Sequence, residues 1–572
     1  MKSIFSILIL ILCCTTVSAQ PNQSKLTLYY GGEIITMRDD KPTTNAVLVK
    51  DGQIIALGGK SQLLRSIRSQ AIELKNLQGK TLLPAFIDAH GHFLNVGIFA
   101  QSANLLPRPD SLVHDFSSMR TMLRSHLNSP QMIETGWVIG MGYDNAQLAE
   151  LRHPTAQDLD KMIADKPVMV IHQSGHLGVV NTKGLEVLGI NANTPNPPGG
   201  VIRRIEGTHK PNGILEEAAF FQVVFQLPIG KTQESLMAMV KAGQDAYLAA
   251  GFATAQEGRA TQANILGLNL AAQKQKLLID VVSYPDPTFF GSDDAFATMM
   301  QQQPTNYQNN YRVGGIKLSL DGSPQAKTAW LVHPYHIPPE GQDDTYHGYP
   351  AMETTQVAKY VDFAFANRWQ ILAHTNGDAA SDQLLFVMKP QIQKAQNYDH
   401  RTVLIHAQVL RDDQLDRMKR LNMIPSFMSV HTFYWGDWHR DSVLGEARAK
   451  RISPAQSALD RGILYTSHND APVTLPNAMM ILSSQVNRTT RSGAVLGSAQ
   501  RVSVWNALKA ITTNAAYQYG EEDKKGSIAV GKNADFVILD RNPLKVDPSQ
   551  LSKIKVIETI KSDRRLFRAG TE

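Results

Sequence analysis

The chain has almost no cysteine, and this scarcity limits the kinds of site it can form. Its two cysteines, Cys13 and Cys14, both lie in an apolar segment at the start of the chain. If that segment is removed, the remaining chain can form neither a disulfide nor a cysteine-ligated metal site. A metal would then have to be held by histidine, aspartate, glutamate or a modified lysine.

Long charged runs are also missing. Of 572 residues, 43% are hydrophobic and 19% are charged, and the net charge of +6 is spread along the chain. This composition is that of a folded protein without a disordered tail, and it gives little support to nucleic-acid binding. The length exceeds what one hydrophobic core usually organises, which predicts a large domain with a second, smaller one.

The first nineteen residues have the features of a secretory signal. Lys2 precedes an apolar stretch at 4–14, and small residues follow just before Gln20, a pattern typical of a signal peptide at 1–19. An uncleaved anchor is disfavoured, because the stretch is shorter than the roughly 20 residues that cross a bilayer. We therefore predict a periplasmic or secreted protein without a stable membrane span.

The two ends of the mature chain have the same strand-like texture. Residues 20–84 and 521–572 alternate apolar with polar residues and are interrupted by glycine-containing turns, which is typical of short β-strands. Neither end suffices for a complete sheet. We therefore predict that both ends pair into one small β-sandwich.

Between them, residues 85–520 alternate strand-length apolar runs with amphipathic helical patterns such as those at 234–251 and 354–369. Repeated βα units indicate an α/β fold with a parallel sheet. At this length they favour a (β/α)₈ barrel of the TIM type with insertions. The stretch at 191–200, rich in proline, glycine and asparagine, predicts a long loop or inserted lid.

Several of the apolar runs end in residues that can bind a metal. The carboxyl ends of parallel barrel strands meet on one face, so these side chains are expected to lie together. Imidazole and carboxylate suit zinc or a similar divalent ion. Any one of these histidines is as readily a hydrogen-bonded structural residue, and an H-x-H pair arises by chance in roughly every second such chain. Because they share a position at the end of an apolar run, we predict that one metal site is formed by His90, His92, His374, His406 and Asp470.

Lys317 ends a similar run but needs separate treatment, because an ammonium group cannot bind a cation. A buried lysine is more often ion-paired, or extends its amine to solvent. Alternatively, burial beside a metal lowers its pKa, and the neutral amine captures carbon dioxide as a carbamate, N6-carboxylysine, which can bridge two ions.

Three further residues have both a functional and a structural interpretation. Asp470 could bind the ion and accept the proton of the attacking water, or it could be a turn residue before Pro472. His172 and His176 follow another apolar run. They either orient the substrate or have a structural role.

Aromatic residues could form an apolar pocket for hydrophobic or aromatic amides, although ordinary core packing explains most of them equally well. They are Phe93, Tyr143, Phe220, Phe221, Trp330 and the cluster at 433–438.

In these residues the sequence resembles the amidohydrolase superfamily, and within it the YtcJ-like branch that includes N-substituted formamide deformylase. The resemblance runs along almost the whole mature chain, through GGEIITM, LLPAFIDAHGHF, HQSGH, PNGILEE, IKLSLDGS, HTNGDAASD, HAQ, SHNDAPVT and GSIAVGKNADFVILDRNPL. It implies a metal-binding (β/α)₈ barrel beside a β-sandwich formed by both chain ends.

The resemblance also implies roles for particular residues. Asp470 corresponds to the last ligand and the catalytic base, and the other ligands correspond to His90, His92, Lys317, His374 and His406. One or two divalent ions, most simply zinc, would be bound. The sequence departs from many relatives where SHND replaces Gly-Ser-Asp, which places the additional imidazole of His468 near Asp470.

We therefore predict a metal-dependent hydrolase that uses activated water to cleave carbon–nitrogen bonds other than peptide bonds, of the amide, N-formyl or N-acyl type, in a small-molecule substrate. A serine hydrolase is disfavoured, because no G-x-S-x-G motif lies between a strand and a helix. The alternatives are a metal-dependent esterase, lactonase or phosphotriesterase on the same barrel, and a non-catalytic binding or regulatory relative. The sequence does not indicate an oligomeric state.

Overall fold

The structure is a computed structural model that describes residues 25–67, 71–197, 200–224, 226–339, 341–395 and 398–570. The predicted signal peptide lies outside these residues. Within them, no helix is both long and apolar enough to span a membrane.

The strands, numbered in chain order, are β1 Leu26–Ile35, β2 Thr43–Lys50, β3 Gln53–Gly58, β4 Ile72–Asn76, β5 Thr81–Pro84, β6 Phe86–Ile87, β7 Ala103–Asn104, β8 Val138–Tyr143, β9 Val168–His172, β10 Leu177–Val180, β11 Gly200–Arg204, β12 Pro211–Glu217, β13 Phe252–Ala260, β14 Asp280–Pro285, β15 Tyr311–Val313, β16 Gly315–Ser319, β17 Gln370–Thr375, β18 Val403–His406, β19 Ile424–Phe427, β20 Thr466–Ser467, β21 Phe536–Leu539, β22 Val556–Lys561 and β23 Arg564–Arg568.

The α-helices are α1 Lys60–Ser66, α2 Phe93–Gln101, α3 Phe116–Ser125, α4 Pro130–Thr135, α5 Ala156–Met162, α6 Thr182–Leu188, α7 Ala218–Val224, α8 Gln233–Ala249, α9 Gln262–Gln273, α10 Asp293–Gln301, α11 Thr354–Ala366, α12 Asp378–Lys394, α13 Asp412–Arg420, α14 His431–Trp438, α15 Gly445–Ala449, α16 Ala455–Asp460, α17 Ala478–Asn487, α18 Val504–Ala510 and α19 Thr513–Gln518. Shorter turns are the 3₁₀ segments Pro287–Phe289, Ser498–Gln500 and Pro548–Lys553 and the π-helical segment His439–Val443.

Strands from both ends of the chain share one eight-stranded sheet. Its order is β23-β22-β21-β5-β1-β2-β3, with β4 paired to β1. The two ends meet where β21 runs antiparallel to β5, with Val537 opposite Leu83. Apolar residues from both ends, including Tyr29 and Phe536, pack into one cluster, so neither end completes this core alone.

The middle of the chain supplies parallel strands to two further sheets. One has the order β15-β14-β13-β6, and the other β16-β17-β18-β19-β20. Every residue of β14 and β18 is buried, as expected of parallel strands that are covered on both faces. Helices between the strands begin at capping residues, such as Thr232 for α8 and Thr261 for α9, whose side chains accept hydrogen bonds from the first helical turn.

A third, six-stranded sheet has the order β11-β12-β10-β9-β8-β7. It has a hydrophobic cluster of its own, which includes Leu105, Val138 and Val170. Sequence analysis predicted insertions here but not this sheet. The segment predicted as a long loop lies between α6 and β11, and its described residues, 191–197, contain neither helix nor strand.

Candidate metal centre

The six predicted ligands lie at one end of the parallel strands. His90 and His92 follow β6, Lys317 lies in β16, His374 in β17, and His406 ends β18. Asp470 follows β20. The parallel register places these strand ends side by side; His374, for example, pairs with Ile405 next to His406.

Asp470 lies at the centre of the cluster. Its Oδ1 is 3.3 Å from Nε2 of His90 and 3.2 Å from Nε2 of His92, and its Oδ2 is 3.8 Å from Nε2 of His406. Oδ1 is nevertheless buried without a hydrogen bond of acceptable geometry to any described residue. The residue itself is only 8% exposed, so solvent does not replace the missing partner.

The first two histidines are held through their other ring nitrogens. Nδ1 of His90 lies 2.6 Å from Oε1 of Gln256, and Nδ1 of His92 lies 2.7 Å from the carbonyl oxygen of Gly258. Both partners are acceptors, so each Nδ1 carries the proton and donates. Each Nε2 therefore carries a lone pair and lies close to Asp470, and Nε2 of His90 also lies 3.1 Å from Nζ of Lys317. A histidine that donates through Nδ1 in this way has the arrangement that metal-binding histidines show.

His374 is held in the same way by Asp321. Its Nδ1 donates to Oδ1 of Asp321 at 3.0 Å. The same carboxylate accepts backbone N–H bonds from Asn376, Gly377 and Trp330. Nε2 of His374 accepts from the Asn376 side chain at 3.3 Å, and its ring centroid is 4.6 Å from that of His406.

His406 is oriented through His468, the additional imidazole noted in the sequence. Nδ1 of His406 lies 3.2 Å from Nε2 of His468, whose Nδ1 lies 2.8 Å from Oγ of Ser426. His406 and Asp470 have φ angles of 68° and 55°, which few residues other than glycine adopt. Such backbone strain is concentrated at functional sites.

Lys317 is 1% exposed, and its Nζ lies 3.1 Å from Nε2 of His90. Burial lowers the pKa of Lys317 to about 7, although the charge of Asp470 acts in the opposite direction. A substantial fraction of the amine is therefore neutral near pH 7. This is the state that both metal binding and carbamate formation require.

Burial also sets the charge state of the histidines. It lowers the pKa of His90 and His406 well below the usual range, and the pKa of His468 to about 3. Burial raises the pKa of Asp470, but His406, His92 and His90 outweigh it and hold that pKa well below its usual range. Near pH 7 the imidazoles of His90, His406 and His468 are thus neutral beside an ionised Asp470. Burial lowers the pKa of His92 as well, but the contact with Asp470 and the negative charges of Asp470 and Glu257 outweigh it and raise that pKa above its usual value.

This donor set fits a divalent cation. One ligand atom each from His90, His406 and Asp470 can be chosen so that all lie within 4.8 Å of one another. Ligands about 2.0–2.1 Å from a tetrahedral zinc ion lie roughly 3.3–3.4 Å apart, close to the 3.2 and 3.3 Å between Asp470 and the two histidines. A cation would also relieve the repulsion between the free Nε2 lone pairs and Asp470.

Two buried carboxyls beside the centre were not found from the sequence. Glu257 accepts a hydrogen bond from the backbone of Leu94, and Asp88 accepts one from the hydroxyl of Tyr247. Burial raises the pKa of each carboxyl to about 7. Asp88 stands within the motif that contains His90, so its position in the sequence is a signal that could have singled it out.

A second pair of histidines lies next to the centre and was also missed. His431 and His439 are buried with stacked rings, and Nδ1 of His431 lies 2.9 Å from Nε2 of His439. Nδ1 of His439 is buried without a partner among the described residues. An unpaired lone pair is less unfavourable than an unpaired N–H, so Nε2 of His439 donates and His431 carries its proton on Nε2.

The structure places His172 and His176 outside the metal cluster. His172 lies 2.9 Å from Oγ of Ser174 and 3.1 Å from Oδ1 of Asn145, and His176 lies 3.0 Å from Oε2 of Glu217. Both lie where two inner strands of the six-stranded sheet meet, His172 at the end of β9 and His176 just before β10. Gln173, between them in sequence, donates to the carbonyl of Val473, so the turn between these strands approaches the loop that carries Asp470.

Several of the predicted aromatic residues are packed in the interior of the protein. Phe93 is fully buried against Tyr247, and Tyr143 is fully buried with its hydroxyl 3.0 Å from His153. Phe220 is also buried, whereas Trp438 is 39% exposed. Core packing therefore accounts for several of them.

Comparison with known proteins identifies the family. The profile described as "Amidohydrolase family" matches residues 73–567. The "Putative amidohydrolase YtcJ" of Bacillus subtilis (strain 168) is 25% identical over 93% of this chain and 98% of that protein. The N-substituted formamide deformylase of Arthrobacter pascens is 26% identical over 90% of this chain and 93% of its own.

A solved structure of an uncharacterized metal-dependent hydrolase from Pyrococcus horikoshii OT3 superposes with a TM-score of 0.74, at 22% identity over 92% of this chain and 99% of that chain. This likeness shows the shared fold.

The chain belongs to the amidohydrolase family, as the resemblance in its motifs predicted. It is a metal-dependent hydrolase that acts on carbon–nitrogen bonds, so the predicted enzyme class is confirmed.

Proposed function

We propose that the parallel strands form one (β/α)₈ barrel with the metal centre at its carboxyl-terminal face, and that the sheet from both chain ends is a β-sandwich beside it. Only Gly314 separates β15 from β16, which supports one continuous series of strands. A parallel bridge between Gly91 and Ala471 joins the segment after β6 to the segment after β20, and this contact supports closure of the ring.

We propose further that the enzyme hydrolyses the carbon–nitrogen bond of a small amide, of the N-formyl or N-acyl type. The observation that carries this proposal is that Nε2 of His90 and Nε2 of His92 converge on an oxygen of Asp470 that is buried without a hydrogen-bond partner in the described part of the chain. A divalent ion, proposed to be zinc, would be held there by His90, His92, His374, His406 and Asp470. When bound, it lowers the pKa of water toward roughly 7 and polarises the substrate carbonyl.

The side chains of this chain then move the protons. Asp470, ionised at neutral pH because of the surrounding histidines, accepts the proton of the attacking water. It passes that proton to the leaving nitrogen, which would otherwise depart as an unstable anion. Gln256 and Asp321 keep the proton of His90 and His374 on Nδ1, so that the rings cannot turn away.

Lys317 is the proposed site of carbamylation. Its amine is buried, has a lowered pKa and points at Nε2 of His90. As N6-carboxylysine it would offer two oxygens and could support a second ion. His172 and His176, in the turn between β9 and β10 of the neighbouring sheet, are proposed to contact the substrate rather than the metal.

The first test measures metal by mass spectrometry in protein purified without chelator, with the double variant His90→Ala/His92→Ala as control. One or two equivalents of zinc, lost in the control, support the site. Absence of metal before and after reconstitution contradicts it.

The second test is Asp470→Asn, assayed on N-formyl and N-acyl substrates. Because the amide cannot accept the proton, turnover should fall severely while most of the metal stays bound. Activity that survives within about tenfold would exclude Asp470 as the base.

We also propose that the protein is exported, and this proposal rests on the signal-like sequence of residues 1–19 alone. Full-length protein expressed in a Gram-negative host should appear in the periplasmic fraction without these residues, and removal of 2–19 should keep it in the cytoplasm. Retention of the full-length chain in the cytoplasm would contradict the proposal.

A further inference from the structure

Arg491 has a buried guanidinium group that nothing in the described part of the chain pairs with. Its Nε, Nη1 and Nη2 atoms are all buried, and none has a hydrogen-bond partner there. The guanidinium carbon lies 5.1 Å from the centre of the Tyr434 ring. Arginine stays charged in proteins, and a buried charge without a counter-charge or hydrogen bonds is strongly unfavourable.

A second arginine in the same segment is also buried, but its guanidinium forms hydrogen bonds within the protein. Arg488, three residues earlier, is 1% exposed. It donates to the carbonyl oxygens of Leu496 at 2.7 Å, Ile452 at 2.9 Å and Ser453 at 3.4 Å. The described residues thus satisfy the donors of Arg488 and leave those of Arg491 without acceptors.

Two carboxyls face Arg491, but neither pairs with it. Asp144 and Asp110 attract the guanidinium, yet it forms no ion pair within 4.0 Å among the described residues. Asp144 is occupied by the backbone N–H of Ala146 at 2.9 Å and by Nε2 of His172 at 3.8 Å. Burial raises the pKa of Asp110. The charge of Arg491 therefore does not offset the desolvation of the Asp110 carboxyl.

Arg491 is linked to the metal centre through α14. Its backbone N–H donates to the carbonyl of Phe433 at 3.1 Å, close to the start of this helix. The helix begins at His431, just after β19, the strand between those that lead to His406 and to Asp470.

A second link runs through the six-stranded sheet. Asp144, which attracts the Arg491 guanidinium, follows β8 of this sheet, and Nε2 of His172 at the end of β9 lies 3.8 Å from Oδ1 of Asp144. The neighbouring Gln173 donates to the carbonyl of Val473 at 3.2 Å, three residues beyond Asp470. The segment that carries Arg491 and the six-stranded sheet are thus each joined to a segment that leads to the metal centre.

We propose that Arg491 binds a carboxylate of the substrate, so that the amide cleaved by this enzyme carries an anionic group beside its carbon–nitrogen bond. A planar carboxylate supplies two acceptors that match the guanidinium in a bidentate pair. The pair would form with the three nitrogen atoms of Arg491 that find no acceptor in the described part of the chain. The inference rests on the proposed function and specifies its substrate class.

The test uses two amides that differ only in the carboxylate, N-acetylphenylalanine and N-acetylphenethylamine, and their N-formyl counterparts. Wild-type kcat/KM should be higher for the carboxylate member of each pair. Arg491→Met should reduce kcat/KM for that member, mainly through KM, by about 30-fold or more relative to the neutral member, as when one partner of a buried charge pair is removed. Arg491→Lys should restore part of the preference.

Thermal unfolding of the substrate-free protein separates this role from a structural one. Arg491→Met removes an unpaired charge and should leave the Tm equal or higher, whereas Arg488→Met should lower the Tm without changing the ratio between the two substrates. A lower Tm for Arg491→Met, an equal loss on both substrates, or a wild-type preference for the neutral amide would overturn the proposal.

Failure of the proposed function would look different, because neither amide would then be hydrolysed. In that event the binding of N-acetylphenylalanine, measured by titration calorimetry, tests the role of Arg491 independently of catalysis. Wild-type protein should bind N-acetylphenylalanine, and Arg491→Met should bind it at least about tenfold more weakly. Equal binding to both proteins would exclude the carboxylate site.

Discussion

Replacement of Asp321 by Asn tests whether the residues behind the metal ligands set the metal affinity. The two side chains have nearly the same shape. The Asp321 carboxylate, only 5% exposed, accepts four hydrogen bonds, one from Nδ1 of His374 at 3.0 Å and three from the backbone N–H groups of Asn376, Gly377 and Trp330 at 3.0, 2.7 and 3.1 Å. An amide keeps one acceptor oxygen and turns an NH₂ group toward donors.

Two magnitudes follow from this geometry. At least one backbone N–H loses its acceptor, which lowers the free energy of unfolding by about 1–3 kcal/mol. His374 loses its charged partner and with it the preference for the proton on Nδ1. Loss of such a partner typically weakens metal binding 10–100-fold, or by about 1.4–2.8 kcal/mol.

The assay is competition with a chelator at fixed free zinc, combined with equilibrium unfolding of the metal-free protein. Asp563→Asn is the matched control, because Asp563 is also buried and accepts bonds from Thr27 and Tyr29, but lies in the terminal sheet. The control should lose stability and keep its metal affinity. If Asp321→Asn binds zinc within twofold of wild type, the positioning argument is refuted.

Two further substitutions test the buried charges. In carbon-dioxide-free buffer, Lys317→Met should stabilise the metal-free protein. Burial lowers the pKa of Lys317 from 10.5 to about 7, so between these pH values the unfolded chain binds more protons than the folded one. The increase in unfolding free energy caused by Lys317→Met should therefore be full below pH 7 and decline toward pH 10.5. A gain that grows with pH would contradict this. Lys525→Met should lower the unfolding free energy by about 3–5 kcal/mol, measured with urea, because Asp280 and Glu521, each 2.6 Å from Lys525, lose a buried partner. The exposed pair of Lys450 and Glu446 gives the control, where Lys450→Met should change stability by less than about 1 kcal/mol.

Much of the candidate site could be predicted from the sequence, because the ligands are marked by local pattern. His90, His374, His406 and Asp470 each end an apolar run of strand length. Parallel strands place their carboxyl ends on one face, so the runs alone imply that these side chains converge. The contacts of Asp470 with His90, His92 and His406 agree with that reasoning.

The partners that hold these ligands could not be predicted, because they are distant in sequence and carry no local signal. Gln256 lies 166 residues from His90, and Asp321 lies 53 residues from His374. A buried glutamine or aspartate has the same local pattern whether it supports a ligand or caps a turn. Only the register of the neighbouring strands brings these pairs together.

The sequence by itself determined the family, the alternation of strands and helices, and which residues could bind a metal, because these are properties of residue type and spacing. The tertiary structure decided which donors are satisfied. Among the residues it describes, the guanidinium of Arg488 donates to three carbonyls while that of Arg491 finds no acceptor, and burial lowers the pKa of Lys317 to about 7. Desolvation and hydrogen bonding depend on which distant groups pack together, and no local pattern in the sequence encodes them.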